Sequence, residues 1–283
     1  MELIIMSSVT GRINEIKQPY GGYLKPSAFK TTVINDGITL NEQENLHAST
    51  IGLVIDYFTR FVMGADKREA FEISLKGAKC AEKLGSYFMD EAEALLDGIT
   101  ELNDESIINA CKLVTFDVWY RNPIFAFGSK GYEEICPDET TIQNIHTLIQ
   151  RSASFFEKYE PVTKEGFTFE PVKKNEKAYQ NMLESGKGSY GGYTATVQFG
   201  DGDFLTADTL WDFKVSKSKP KSKHTLQLLM YWIMGQHSGQ EIYKNITKLG
   251  IFNPRLNTVY LLDMKEVPET VIKTVEKEVI CYE

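Results

Sequence analysis

Cysteine is scarce in this chain and poorly placed for joint work. Its four copies, Cys80, Cys111, Cys136 and Cys281, lie far apart with no Cys-x-x-Cys pair. That argues against a disulfide framework and against a structural zinc site, and the expectation is a reduced, cytoplasmic protein. Long apolar runs are missing too. None approaches the roughly 20 residues that cross a bilayer, so no membrane partner is expected. The opening Met-Glu-Leu-Ile-Ile-Met-Ser-Ser is too short, and lacks the basic lead, for a secretory signal. No Gly-x-x-x-x-Gly-Lys-Ser/Thr stretch occurs, which leaves any ATP-driven motor to a separate protein. There is no internal repeat and no low-complexity tail. Positive charge is in the minority, with 31 basic against 39 acidic residues and a net charge of −8. A protein coated with positive charge is thereby excluded, whereas a local basic groove is not.

What is present suits a globular chain: 283 residues, 42% hydrophobic and 25% charged, long enough for one large domain or two small ones. Apolar spacing predicts a helix over about 43–64, capped by Asn41 or Asn45. A second helical stretch over 67–96 is expected to bend near Gly85. A third is capped by Asp104 and stops before Pro123, and a fourth covers about 140–159. Strands are predicted over 163–171, 193–199, 210–215 and 258–264. A glycine-rich loop is expected over 173–192, a helix over 224–234, and a closing helix over 268–279 opened by Pro268. The fold class is therefore mixed α/β (α+β): a mainly helical region, 1–160, followed by an α/β region, 161–283. No linker separates them, and one shared core is expected.

Several residues invite a functional reading that a plainer one rivals. Asp56 and Arg60 stand one helical turn apart, where an ion pair contributes a few tenths of a kcal/mol. Phe116, Trp119 and Tyr120 beside Arg121 offer a base-stacking surface, although helical spacing favours a place in the core. His146 has no companions with which to bind a metal, and is read as structural.

The stretch Asp201–Lys214 is different. If Ala207-Asp208 makes a tight turn, Asp203 faces Asp212 across a hairpin, with Cβ atoms roughly 5 Å apart. A divalent cation resolves the repulsion of two such carboxylates, and hard oxygen ligands suit Mg²⁺ or Mn²⁺. Asp201 and Asp208 are rivals for the first ligand, Asp208 being better suited to the turn itself. Lys214, two residues beyond Asp212 in a strand, shares its face. An ammonium there favours a metal-bound hydroxide or holds a phosphate oxygen, which points to attack on a phosphodiester. A solvated Asp–Lys pair is the plain alternative, and Asp263-Met-Lys265 repeats the spacing at a strand end. Lys217, Lys219, Lys221 and Lys223 follow, a candidate contact for backbone phosphates or else a solvated loop. Gln227 and Tyr231 then share one face of the next helix.

Together these residues resemble the PD-(D/E)xK nuclease superfamily, in particular its RecB-like branch. Asp203 matches the acid of the first strand, Asp212-Phe213-Lys214 the acid-x-Lys triplet, and Gln227-Leu-Leu-Met-Tyr231 the branch's Gln–Tyr helix. Gly52-Leu-Val-Ile-Asp56 has the spacing of the earlier Gly-x-x-x-His helix with aspartate at the ligand position; His47, earlier on the same helix, is a weaker substitute. The proline of the superfamily's name is absent. With Cys281 alone near the C-terminus, no iron–sulfur cluster is expected.

The resemblance implies a restriction-endonuclease-like core, a central mixed sheet flanked by helices, and a Mg²⁺- or Mn²⁺-dependent deoxyribonuclease of phage, prophage, defence or recombination type. It implies that Asp203, Asp212, the Phe213 carbonyl and Asp56 hold the metal. Lys214 would position water, Gln227 and Tyr231 would support the site, and DNA would be the partner. A non-cleaving module on the same fold that binds DNA or inhibits a partner protein, and an unrelated α/β protein, are the alternatives.

Overall fold

The computed structural model describes residues 7–159, 162–169 and 175–283. In chain order it runs α1 (Val9–Glu15), β1 (Lys30–Val33), α2 (Ala48–Val62), α3 (Lys67–Ala70), α4 (Glu72–Glu82), α5 (Met89–Asp97) and α6 (Asp104–Leu113). Then come α7 (Asp117–Arg121), α8 (Pro123–Ala126), α9 (Glu139–Tyr159), β2 (Val162–Phe167), α10 (Glu176–Ser185), β3 (Gly202–Thr206) and β4 (Thr209–Phe213). The chain closes through α11 (Ser222–Ser238), β5 (Lys248–Asn253), β6 (Thr258–Asp263) and α12 (Glu269–Thr274), which continues as a π-helical turn, Val275–Ile280. Among the described residues, no helix is long and apolar enough to cross a membrane.

The chain divides into two compact units. One comprises the described residues up to Ile34, together with those in Tyr159–Phe213 and Ser218–Glu283; the other is Asn35–Lys158 with Lys214–Lys217. The first unit is built on a six-stranded mixed sheet in the order β1-β6-β5-β4-β3-β2. β2, β3 and β4 form an antiparallel meander; α11 then carries the chain across to β5, which runs parallel to β4. β6 returns antiparallel to β5, and β1 pairs antiparallel with β6 at the far edge. This is the mixed α/β class expected from the sequence.

Alternation assigns each sheet face. Leu205, Leu210, Leu249, Ile251, Tyr260 and Leu262 point to the side covered by α11, and they pack with Leu226, Leu229, Met230 and Ile233 in one cluster. Phe204 and Trp211 stack on the opposite face, where Tyr159 meets the Trp211 ring edge-on. Both faces are thus covered, which explains why β5 escaped the sequence reading. A parallel strand buried on both sides shows no polar alternation, and Lys-Leu-Gly-Ile-Phe-Asn carries a glycine besides. That glycine is required: a Cβ on Gly250 would lie 2.2 Å from the Trp211 ring.

Other expectations are corrected. Residues 175–192 hold α10 and a two-residue hairpin, Ser189–Tyr190 with Tyr193–Thr194, instead of an open loop. Asn175 caps α10 through the amide of Ala178, and Gly186 ends it in the left-handed region; the glycines punctuate structure here. Pro171 and residues 173–174 of the expected strand and loop lie outside the described residues. The strand expected over 193–199 is two short pieces, Tyr193–Thr194 and Val197–Phe199. β4 stops at Phe213, short of Val215, and α11 starts at Ser222, two residues before His224.

In the second unit α2 is capped by His47, whose ring accepts the Ser49 amide. Asn45 and Asn41 instead tie their segment to α9, through Thr141 and Asn144. The helical stretch after Lys67 breaks into α3, α4 and α5, with Gly85 at positive φ in the gap between the last two. Asn103, one residue before the expected Asp104, caps α6. Phe116 and Trp119 are buried beside Phe88, so these two aromatics are core.

Candidate active site

The hairpin of β3 and β4 carries the site. Phe204 pairs with Trp211 and Leu205 with Leu210. One step further, the same register sets Asp203 opposite Asp212, on the face that also holds Leu205 and Leu210. Thr206–Thr209 makes the turn, with Ala207 and Asp208 at its centre, as the sequence reading supposed. Asp208 is a turn residue with a structural duty. Its carboxylate accepts from the Thr209 hydroxyl (2.7 Å) and from Lys248 (2.5 Å), clipping the turn to the start of β5. Burial alone would raise its pKa, but the hydrogen bonds from Lys248 and Thr209 hold it below the ordinary carboxylate value.

Asp212 is 2% exposed, an expensive place for a carboxylate unless charge or hydrogen bonds compensate. Asp203 is half-buried and accepts the Phe213 backbone N–H at 2.5 Å. In a strand the N–H and C=O of one residue leave toward the same edge, so the Phe213 carbonyl belongs to the Asp203 side of β4. Two carboxylates and a carbonyl are hard oxygen donors, and this set fits Mg²⁺ or Mn²⁺.

α11 lies over the same face. Gln227 donates its side-chain amide to the Tyr231 hydroxyl at 3.0 Å. Burial drives the Tyr231 hydroxyl far above the ordinary tyrosine pKa; the Gln227 bond opposes that rise, and the negative charges of Asp212, Asp203 and Asp201 add to it. The hairpin acids thus act electrostatically on the helix that covers their face. Tyr231 is buried, its ring edge-on to Phe167.

The remaining candidates are carried by other segments. Lys214 is the first residue beyond β4 and half-buried, and Lys214–Lys217 groups with the second unit. The strand alternation that aligned it with Asp212 therefore ends one residue short of it. Asp56, on α2 of the second unit, accepts from two guanidinium nitrogens of Arg60, Nε and Nη2, at 3.0 and 3.1 Å. Lys217 reaches the Glu42 carbonyl (2.9 Å) and the Glu44 carboxylate (3.7 Å). Lys219 and Lys221 are exposed ahead of α11; Lys223 is exposed on its first turn. Asp263 pairs with Lys265 (2.8 Å) and caps the turn after β6, the strand-end role expected of the second Asp-x-Lys.

Among the described residues, no group of three or more His, Cys, Asp and Glu side chains is arranged to hold a metal ion. The sequence reading also passed over α1, the helix that packs on α11 within the sheet unit. Its signal was there: Ser8 caps it through the Gly11 amide, and Val9 and Ile13 are one turn apart and buried. Comparison of the chain with family models, curated proteins and solved structures finds no match.

Proposed function

We propose that the chain is a metal-dependent deoxyribonuclease that hydrolyses phosphodiester bonds, in keeping with its resemblance to the RecB-like branch of the PD-(D/E)xK nucleases. One observation carries the reading: the hairpin register that sets Asp203 against Asp212 on the sheet face that α11 covers. Asp203, Asp212 and the Phe213 carbonyl would hold Mg²⁺ or Mn²⁺, which when bound supplies Lewis acidity toward a phosphoryl oxygen and a more acidic water. Lys214 would orient the attacking water, and Gln227 and Tyr231 keep the acidic face in position. Lys219, Lys221 and Lys223 offer ammonium groups to the DNA backbone; Lys217 is partly spent on Glu42 and Glu44. Asp56, which the resemblance also implies as a ligand, is held by Arg60 within the other unit.

The second reading, a non-cleaving module that binds DNA or a partner protein, draws on the pairing of Asp56 with Arg60. A gel assay on end-labelled linear and covalently closed DNA, with Mg²⁺ and with Mn²⁺, separates the two. Cleavage is expected from the native chain and is lost, or falls at least about a hundredfold, in Asp203→Asn and Lys214→Ala, since each removes a group that acts on the transition state. Binding without cleavage under either cation supports the second reading, and cleavage unchanged in Asp203→Asn refutes the site.

A further inference from the structure

Two stretches of the sheet unit, Ile16–Ile34 and Ser218–Gln240, contain no acidic residue, in a chain that has 39 of them. The fold sets one against the other. Gly22 approaches the first turn of α11 so closely that a Cβ on it would fall 2.5 Å from that of Ser222. Two residues on, the Leu24 carbonyl accepts from the Thr225 hydroxyl. The turn Pro19-Tyr20-Gly21-Gly22 is closed by the Gly22 amide on the Pro19 carbonyl at 2.8 Å. Both glycines hold φ near +90°, at 83° and 90°, where any other L residue is strained.

Tyr20 occupies this anchored turn with its ring in solvent, 103% exposed. The stem of Lys25 folds back beside Gly21, with Cε 3.4 Å from where a Cβ would stand. Ser222, the residue against which Gly22 packs, is flanked by the exposed Lys221 and Lys223. A lone exposed aromatic is ordinary. A fully exposed one on a braced turn, beside lysines carried by two acid-free stretches, has the makings of a stacking platform at the edge of a phosphate-binding surface; the acid of the adjoining groove, Glu278, lies on the side of Pro19, Gly22 and Tyr23.

We propose that this surface binds a nucleic-acid strand with unpaired bases. A base stacks on Tyr20, while Lys25, Lys221 and Lys223 hold the neighbouring phosphates. Lysines alone would accept any backbone, but a tyrosine face is open only to a base that has left its own stack. The inference rests on the nuclease reading and adds its substrate class: the strand presented beside α11 is single, at an end, a gap or a frayed tract.

The test uses the full chain with EDTA present, so that binding is read without cleavage. A fluorescent oligothymidylate and a blunt duplex of equal length are titrated with the native protein, Tyr20→Ala and Tyr20→Trp. Tyr20→Ala is expected to weaken binding of the single strand about five- to 150-fold, the range for one stacked base, and to change duplex binding less than about twofold. Tyr20→Trp should retain single-strand affinity, and its added fluorescence should be quenched by the oligonucleotide. Equal affinity of native protein and Tyr20→Ala for the single strand overturns the proposal, as does an equal loss on both substrates. If the native chain cleaves DNA with Mg²⁺ while Tyr20→Ala binds normally, the stacking proposal alone fails. If the native chain neither binds nor cleaves any nucleic acid, the nuclease reading fails and takes this proposal with it.

Discussion

Replacing Asp203 by Asn separates the two jobs that the hairpin does. The asparagine oxygen can still accept the Phe213 amide, so the change is mainly one of charge. In the native hairpin two carboxylates oppose each other about 5 Å apart, and Coulomb's law at an effective dielectric of about 20 makes that repulsion about 3 kcal/mol. This is a ceiling, because Asp203 is half-buried and solvent or a neighbouring cation lowers it; about 1–2 kcal/mol is expected. At about 2 °C per kcal/mol for a chain of this length, Asp203→Asn should melt about 2–4 °C higher than the native protein in EDTA. Mg²⁺ should reverse the order. At a hundred times its dissociation constant a bound cation contributes about 2.7 kcal/mol to the native protein, and the variant, short of one ligand, should gain little. Differential scanning fluorimetry or calorimetry with EDTA and with graded Mg²⁺ reads both effects. A variant that is less stable than native in EDTA, or that responds to Mg²⁺ as native does, refutes the paired-carboxylate site.

Three further outcomes follow from the packing. Gly250→Ala places a methyl 2.2 Å from the Trp211 ring and should cost about 1–3 kcal/mol through overpacking, seen as a lower urea midpoint; an unchanged midpoint would mean that β5 and Trp211 do not meet as described. Asp36 accepts two hydrogen bonds from the nearly buried Arg151, which hold its carboxyl below the usual range. A lowered folded pKa gives stability that is present above the ordinary carboxylate value and lost as pH falls through the folded one. Asp36→Asn should therefore cost about 1–3 kcal/mol at neutral pH and flatten the acid limb of a stability-versus-pH curve; parallel curves would refute the pairing. Burial pushes the Cys111 thiol up to about 12 while Cys136 is exposed, so a thiol reagent at mildly alkaline pH should label Cys136 promptly and Cys111 only on denaturation, as peptide mapping would show.

The legible parts of the sequence were those where local chemistry and tertiary structure agree. Asp208 sits well in a turn, so the hairpin register, and with it the facing of Asp203 and Asp212, could be deduced from turn preference and period-two alternation. Gln227 and Tyr231 required only a helix and a spacing of four. β5 was illegible because burial on both faces erases alternation, and β1 because Lys-Thr-Thr-Val is short, exposed and edge-lying. α10 was hidden by the glycines behind it, which end the helix and turn the following hairpin. Cap identities moved to His47 and Asn103 because the better-looking asparagines, Asn41 and Asn45, had partners on α9, and no local rule sees a partner a hundred residues away.

The outermost pairing of the sheet has a consequence in time. β1 meets β6 with Thr31 beside Tyr260, so a strand made early waits for one made more than two hundred residues later. The helical residues between Ile34 and Tyr159 are synthesised in that interval, and their unit, Lys214–Lys217 aside, has its whole chain available before β3 exists. Synthesis thus favours the helical unit folding first, with the sheet closing last, around a long-range contact of the kind that slows folding. A chain released early, without β6, would leave β1 unpaired and the Leu249–Ile251 face of β5 with an open edge. Loss of β6 should therefore be felt more than two hundred residues earlier, at β1 and in the turn ahead of it that carries Tyr20.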